Sequence, residues 1–212
     1  YAIVQGGIWV TFDAAGGTPV RHQFVDAGAT LDFEDASTTR AGYTFEGWFD
    51  AAGNKIDAAT LITKDNSTLT AHWKAVAVSY TVIHWWENAN NDGYSYHESE
   101  TLNGVTGEQT AAVGKDYSAV TGTDIYGKTV TGSPAPFTAQ PITQQTVEGD
   151  GSTIVNVYYT RAVYTLTFQH KERFSTKIDA TISKKWGADI APSEWPMYNG
   201  DANYKISDKK YV

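Results

Sequence analysis

Strand-like openings recur along this chain at intervals that suit small, separate β modules. They begin at Trp9, Tyr80 and Tyr164, and each joins aromatic to β-branched residues. Two of the intervals end with similar strand-like sequences, at Leu69–Trp73 and at Val155–Tyr159. Recurrence of one opening at a regular scale predicts a tandem array, in which each module folds around its own aromatic residues.

The composition agrees with a chain of strands and turns. Aromatic residues make up 13% of the 212 residues and Gly supplies 19 of them, while long helix-forming runs are missing. Strand propensity with frequent turn residues predicts a mostly β (α+β) fold. We expect tandem small modules with little helix, in an extended arrangement.

Charge and cysteine content exclude several function classes. The net charge is −8, and the only adjacent basic pairs are Lys184–Lys185 and Lys209–Lys210, so binding to nucleic acid or to an anionic membrane is not expected. The chain has no Cys, which removes disulfides, thiolate metal sites and Cys nucleophiles. No apolar run approaches the ~20 residues that a membrane-spanning helix needs.

The stretch from Trp9 to Trp73 has the pattern of a small sheet around an aromatic core. Trp9–Phe12 and Tyr43–Phe49 are aromatic and β-branched runs, and Leu69, Ala71 and Trp73 alternate toward one face of a closing strand. Strict alternation along the second run predicts Tyr43, Phe45 and Phe49 on one face, with Thr44, Glu46 and Trp48 on the other.

A pentapeptide, Phe-Asp-Ala-Ala-Gly, occurs twice, at Phe12–Gly16 and at Phe49–Gly53. Each copy follows a predicted strand. The Asp side chain can accept hydrogen bonds from nearby backbone amides, and Gly adopts a positive φ without strain. Both copies therefore predict a tight turn at the end of a strand.

These anchors lie in an ordered frame. A Val-Thr-Phe-Asp-Ala-Ala-Gly-Gly opening is followed by an Arg-Ala-Gly-Tyr-Thr-Phe-Glu-Gly-Trp-Phe centre and a Leu-Thr-Ala-His-Trp close. The frame resembles the Listeria–Bacteroides repeat, also called the internalin B-repeat. The resemblance implies a β-grasp-like module of bacterial cell-surface proteins, where such modules mostly space and present other domains.

The second interval contains two turn signals. Asn88–Gly93 joins the aromatic runs Trp85-Trp86 and Tyr94-Ser95-Tyr96, which predicts a hairpin, and Glu148–Ser152 predicts a second tight turn. The text from Tyr80 through Gly-Asp-Gly-Ser-Thr-Ile-Val-Asn-Val-Tyr-Tyr-Thr-Arg resembles mucin-binding-protein (MucBP-like) modules. Gly122–Pro141, with three Pro, departs from that pattern and predicts a long loop.

Four segments follow from these patterns. Residues 1–8 are a tail or the end of a preceding module, 9–75 are the B-repeat module, 76–162 the MucBP-like module, and 163–212 a partial or docked third module. A short connector at Lys74–Ser79, without Gly or Pro, predicts a stiff joint. Ala188–Glu194 allows one helical turn, which Pro192 interrupts. The chain begins without Met, and we expect it to be a fragment of a longer protein.

No catalytic or cofactor motif emerges from the sequence. The five His, among them His72 and His84 within predicted strands, lack metal-ligand spacing, so a structural role is expected for those two. Asn88–Gly93 resembles the start of a calcium loop, but its twelfth position is Ser99, where a bidentate Glu is required. We therefore predict no enzyme activity, no cofactor and no metal.

The sequence contains two kinds of candidate functional residue. The aromatic residues of the hairpin, Trp85, Trp86, Tyr94 and Tyr96, are candidates for ligand or interface contact. Neighbouring residues in a strand point to opposite faces, so one tryptophan should lie in the core, which leaves the other available for the surface. Lys115 and Lys128 are candidate donors for an amide cross-link to an Asn side chain, of the kind found in some Gram-positive surface modules.

The sequence therefore favours a non-catalytic segment of a bacterial cell-surface protein that acts as spacer, stalk and adhesion module. Its partners would be neighbouring modules of the same chain, and it would be extracellular, with cell-wall anchoring supplied by other regions. One alternative is a direct binding module for host mucin glycan or for a host protein such as immunoglobulin. Another is an accessory domain of a carbohydrate-active enzyme.

Overall fold

A computed structural model describes residues 6–117, 121–123, 129–131, 136–171 and 173–194. Within these ranges the chain is mostly β, which confirms the predicted fold class. Helical structure there is limited to two 3₁₀ turns, Lys64–Asn66 and Pro192–Glu194. No helix of the described part is long and apolar enough to cross a membrane.

Thirteen strands lie in the described residues. They are β1 (Gly7–Asp13), β2 (Gln23–Asp26), β3 (Tyr43–Phe49), β4 (Lys55–Ile56), β5 (Thr68–Ala75), β6 (Ala77–Glu87), β7 (Tyr94–Val105), β8 (Thr121–Thr123), β9 (Thr129–Thr131), β10 (Phe137–Ala139), β11 (Ile154–Arg161), β12 (Val163–Lys171) and β13 (Thr176–Lys185).

The strands form four sheets. Their orders are β2-β1-β5-β3-β4, β10-β11-β6-β7, β12-β13 and β8-β9. The strands that begin the first two sequence intervals, β1 and β6, therefore belong to different sheets. By contacts the chain divides into two compact units, one drawn from 1–81, 101–111 and 144–155, the other from 82–100, 112–143 and 156–212.

The five-stranded sheet of the first unit is mixed. At its centre β1 and β5 run parallel, and the other neighbouring strands are antiparallel. Val10, Trp48 and Leu69 are fully buried in its core, and the Trp48 indole N–H donates to the Ala36 carbonyl at 2.9 Å. Leu69 and Ala71 are buried and Trp73 packs against the same core, as the alternation of the closing strand predicts.

The predicted faces of β3 are wrong at Trp48 and at Phe49. A register shift between Phe45 and Gly47 interrupts the pairing with β5, and Gly47 has a φ of 142°. Such a bulge reverses the alternation that follows it. Phe45 and Trp48 therefore both pack on the core, with ring centroids 5.5 Å apart, while Phe49 stacks on the exposed His72.

Both pentapeptide turns form as predicted. The Asp13 carboxylate accepts from the Ala15 amide at 2.9 Å, and the Asp50 carboxylate accepts from the Ala52 amide at 2.9 Å. Gly16 and Gly53 have φ values of 87° and 84°. Hydrogen bonds from Asn54 and Ala52 hold the pKa of Asp50 below its usual value, as expected for a carboxylate that caps a turn.

The predicted hairpin and the second turn are also confirmed. The Asn88 amide donates to the Gly93 carbonyl at 2.8 Å between β6 and β7, and the Gly151 amide donates to Glu148 at 3.2 Å. The long loop predicted at Gly122–Pro141 is wrong in part, because β9, β10 and most of β8 lie within it. The prediction failed because three-residue strands leave little trace in composition.

Candidate functional site

The residues predicted for ligand contact separate into two groups. Trp85, Tyr94 and Tyr96 gather with Tyr158 in the second unit, and we call these four side chains the aromatic surface. Trp85 stacks toward Tyr158 with centroids 6.4 Å apart and meets the edge of Tyr96 at 6.2 Å. Tyr94 contacts Tyr158 edge to face at 4.9 Å.

The aromatic surface is both open and fixed. Tyr94, Tyr96 and Tyr158 are 39%, 59% and 40% exposed. The Trp85 indole N–H donates to the Asn156 side chain at 2.8 Å, which holds the ring in place. Exposed aromatic rings that are already immobilised lose little entropy on binding, so this surface is suited to contact with a ligand.

Tyr158 and Asn156 were not predicted from the sequence. A signal was present, because Val155, Val157 and Tyr159 alternate and all three are buried, which leaves the intervening residues on the opposite face.

Trp86 faces away from the aromatic surface, as expected for neighbouring strand residues. Its ring stacks on His97 with centroids 3.5 Å apart and on Phe137 at 4.1 Å. The indole nitrogen is buried and has no hydrogen-bond partner in the described structure. Burial holds the pKa of His97 below its usual value, which favours the neutral imidazole within the stack. Trp86 is therefore a packing residue.

His84 is fully buried, and it belongs to a network of polar side chains. Its Nδ1 lies 2.8 Å from the Tyr159 hydroxyl, and its Nε2 lies 3.1 Å from a Glu100 carboxylate oxygen. Both ring nitrogens are thus engaged, which is the structural role predicted for this histidine.

Lys115 extends this network. Its ammonium lies 3.1 Å from Glu98 and 3.5 Å from Glu100, and the Tyr117 hydroxyl donates to Glu98 at 2.5 Å. Although burial opposes it, hydrogen bonds to Glu98 and Glu100 raise the pKa of Lys115. Burial and the Glu98 hydrogen bond likewise raise the pKa of Tyr117.

These charged contacts affect the amide cross-link for which Lys115 was a candidate donor. Attack on an Asn side chain needs a neutral amine, whereas the two carboxylates stabilise the Lys115 ammonium. The network is arranged to hold an ion pair. The other candidate donor, Lys128, lies outside the described residues.

In the first unit, a single residue separates β5 from β6. The predicted connector at Lys74–Ser79 is strand on both sides of Val76. The Val76 amide donates to the Gly42 carbonyl at 3.0 Å, and its carbonyl accepts from the backbone amide and the hydroxyl of Thr106, both at 3.1 Å. We call Val76 with Gly42, Thr106 and Gly149 the repeat joint.

Close backbone packing completes the repeat joint. A Cβ on Gly149 would lie 2.1 Å from the Ala41 carbonyl oxygen, and one on Gly42 would lie 2.3 Å from the Gly149 Cα. Gly42 also has a φ of 77°. The two segments meet at a distance that only glycine allows.

An open cavity of about 350 Å³ lies beside the repeat joint, lined in part by Arg40, Tyr43, Glu148 and Asp150. The Arg40 guanidinium lies 3.9 Å over the Tyr43 ring and donates to the Ala15 carbonyl at 3.1 Å. Hydrogen bonds from Ser152 hold the pKa of Asp150 below its usual value. Arg40 and Asp150 are therefore already engaged in local structure.

In the second unit, Ala162 alone separates β11 from β12. Its amide donates to the buried Pro136 carbonyl at 2.9 Å, and its carbonyl accepts from the Trp186 amide at 2.8 Å. We call Ala162 with Pro136, Arg161, Trp186 and Glu87 the hairpin joint, because β12 and β13 form the hairpin that follows it.

Arg161 and Glu87 reinforce the hairpin joint. The Arg161 guanidinium donates to the carbonyls of Glu87 and of Trp186, the latter at 2.9 Å, and lies 4.7 Å over the Phe137 ring. The Arg161 amide donates to the Glu87 carboxylate at 2.7 Å, and the Lys185 ammonium lies 2.9 Å from it. Although burial opposes it, Lys185 and Arg161 hold the pKa of Glu87 below its usual value.

One protein-family model matches part of the chain. Residues 9–72 match the Listeria-Bacteroides repeat domain. This repeat is found in bacterial surface proteins. The matched residues run from within β1 to within β5 and include β2, β3 and β4 of the mixed sheet. A comparison with curated proteins returned no match.

Proposed function

We propose that this chain is a non-catalytic spacer segment of a bacterial surface protein, which holds other domains at a set position. One observation carries the proposal: at each joint a single residue links two strands, and its amide and carbonyl are both hydrogen-bonded to other segments. A linker held in this way has little freedom to rotate, and a spacer requires stiff connections.

The same proposal includes the type of each module and the kind of protein to which the segment belongs. The central parallel pair of the mixed sheet supports a β-grasp-like repeat, and residues 76–162 would be a MucBP-like module. The parent protein would be a Gram-positive adhesin, anchored to the cell wall by regions outside this segment.

The proposal can be tested by measuring the stiffness of the repeat joint. Spin labels on the exposed residues Asp65 and Glu108, introduced as a pair of cysteines into the Cys-free chain, report the distance between the repeat and the segment that Thr106 belongs to. We expect a narrow distance distribution. A matched variant with Gly-Ser-Gly inserted after Val76 should broaden it, and a wild-type distribution as broad as that of the insertion variant would contradict the proposal.

A second candidate function is direct binding through the aromatic surface. Three of its rings are well exposed, and its tryptophan is fixed by Asn156. Aromatic residues of this kind are enriched where proteins bind ligands and partners. The target would be host mucin, another glycan or a host protein such as immunoglobulin.

An array of glycans and host proteins, probed with the wild-type chain, tests this second function. The double variant Tyr94→Ser/Tyr96→Ser should lose any signal by about tenfold or more, since central aromatic contacts dominate binding energy. Trp9→Ser removes an aromatic ring that is 64% exposed outside the aromatic surface, and it should leave binding unchanged. Equal loss in both variants would show that the aromatic surface is not the binding site.

A further inference from the structure

The two strands at which the repeat begins and ends lie side by side. The repeat begins on β1, ends on β5, and the two are parallel, with Thr11, Phe12 and Asp13 opposite Thr68, Leu69 and Thr70. The Thr11 amide donates to the Ser67 carbonyl at 2.9 Å. In parallel strands the start of one and the end of the other point in opposite directions along the strand axis.

Pulling on the chain at both ends of the repeat therefore slides β1 along β5. All three residue pairs then resist together, because none can separate before the others move. We propose that the repeat is a tension-bearing element, in which force along the chain loads the β1–β5 pairing in shear; this rests on the proposed spacer function.

The position of the two strands in the sheet supports this inference. β1 and β5 are both interior, since β2 pairs with the other edge of β1 and β3 with the other edge of β5. The β3–β5 ladder extends from Tyr43 opposite Ala75 to Phe49 opposite Thr70. Neither strand can leave the sheet by losing contacts on one side only.

Side-chain packing opposes the same movement. Val10 on β1 and Leu69 on β5 are each 0% exposed and share the core with Trp48. Sliding would draw these side chains out of a close-packed interior, so the core resists together with the hydrogen bonds. At the far end, the last residue of β5 is followed directly by Val76, so tension leaving the repeat enters the repeat joint.

The same sheet contains a pair with the opposite geometry. β1 and β2 are antiparallel, and Gly7 lies opposite Asp26 at the open end of the pair. Force applied at that end separates one residue pair at a time. This gives a control within the same repeat, with one attachment point in common.

Single-molecule pulling on the full chain compares the two directions. Because the chain has no Cys, handles can be attached through Gly6→Cys with Lys74→Cys for shear, and through Gly6→Cys with Asp26→Cys for peeling. Lys74 and Asp26 are exposed, and a Cβ on Gly6 meets no atom within 4 Å. NMR spectra of the backbone amides verify that both variants are folded.

We expect a rupture force about three times higher in shear than in peeling at one loading rate, because three pairs share the load and forced unfolding depends on the barrier to unfolding. Equal forces in the two directions would overturn the tension-bearing role and leave the spacer function intact. Unequal forces together with a broad distance distribution between spin labels on Asp65 and Glu108 would instead overturn the spacer function, while the mechanical asymmetry held.

Discussion

At Val76 and at Ala162 the chain passes from one strand to the next through one residue, and in both places that residue has its amide and carbonyl bonded. The surrounding side chains differ. The repeat joint depends on Gly42 and Gly149 meeting at backbone distance, whereas the hairpin joint depends on the charged groups of Arg161, Glu87 and Lys185.

The same backbone arrangement is thus stabilised by close packing in one joint and by charged contacts in the other. Close packing is insensitive to salt and pH, but it fails when a single methyl group is added. Charged contacts tolerate added volume better, and they respond to ionic strength and to protonation. Different changes should therefore weaken each joint. The hydrogen-exchange rates of the Val76 and Trp186 amides report the stability of the two joints separately.

The largest effect is expected for Gly149→Ala. The new methyl group would lie 2.1 Å from the Ala41 oxygen, so the two segments must move apart. Overpacking of this kind costs about 3 kcal/mol. Exchange of the Val76 amide should accelerate about 100-fold, at roughly 1.4 kcal/mol for each factor of ten, while the Trp186 amide is unchanged. Gly6→Ala, where the methyl group meets no atom within 4 Å, should change neither amide.

Arg161→Met should be the most damaging change at the hairpin joint. The carbonyls of Glu87 and Trp186 each lose a donor, at about 1 kcal/mol apiece, for a total of about 2 kcal/mol. Exchange of the Trp186 amide should rise about 30-fold, and that of Val76 should not change. Arg21→Met, at an exposed position, is the control for loss of a positive charge. Acceleration of both amides by Arg161→Met would show that the joints are not independent.

Sequence reasoning succeeded where the chemistry is local. The pentapeptide turns and the Asn88–Gly93 hairpin depend on side chains that bond backbone within a few residues, so their residue types predict them. A stiff connector was predicted at Lys74–Ser79, but the contacts that hold the two single-residue joints were not predictable, because they join distant segments; Arg161 and Glu87 are 74 residues apart.

The aromatic residues show the same limit. Alternation predicted that Trp85 and Trp86 separate onto two faces, but not that Tyr158 joins Trp85. Trp48 was placed on the wrong face because strict alternation was assumed through Gly47, although a glycine inside a strand is a signal for the kind of bulge that forms there. Local pattern assigns strands and turns, whereas register decides which side chains meet.

Acid should weaken the hairpin joint and spare the repeat joint. The pKa of the Glu87 carboxylate is lowered from its usual 4.5, so the carboxylate stabilises the folded form at neutral pH. That contribution is complete above about pH 4.5 and is lost as the pH falls through the lowered folded value. Protection of the Trp186 amide, corrected for intrinsic exchange, should fall as the pH drops below about 4.5. Glu87→Gln should be less protected at neutral pH and nearly independent of pH in this range.

Salt should have the smallest effect. The Lys185 ammonium lies 2.9 Å from the partly buried Glu87, a pair that salt screens only weakly. It also lies 3.4 Å from the exposed Asp92, and such surface pairs contribute little. Raising the salt concentration to about 1 M shortens the screening length to about 3 Å, and Trp186 exchange should accelerate by no more than about threefold. Lys185→Met should remove this salt dependence, because the group being screened is gone. If Val76 exchange accelerated equally in salt, charge would stabilise both joints and the contrast between them would be wrong.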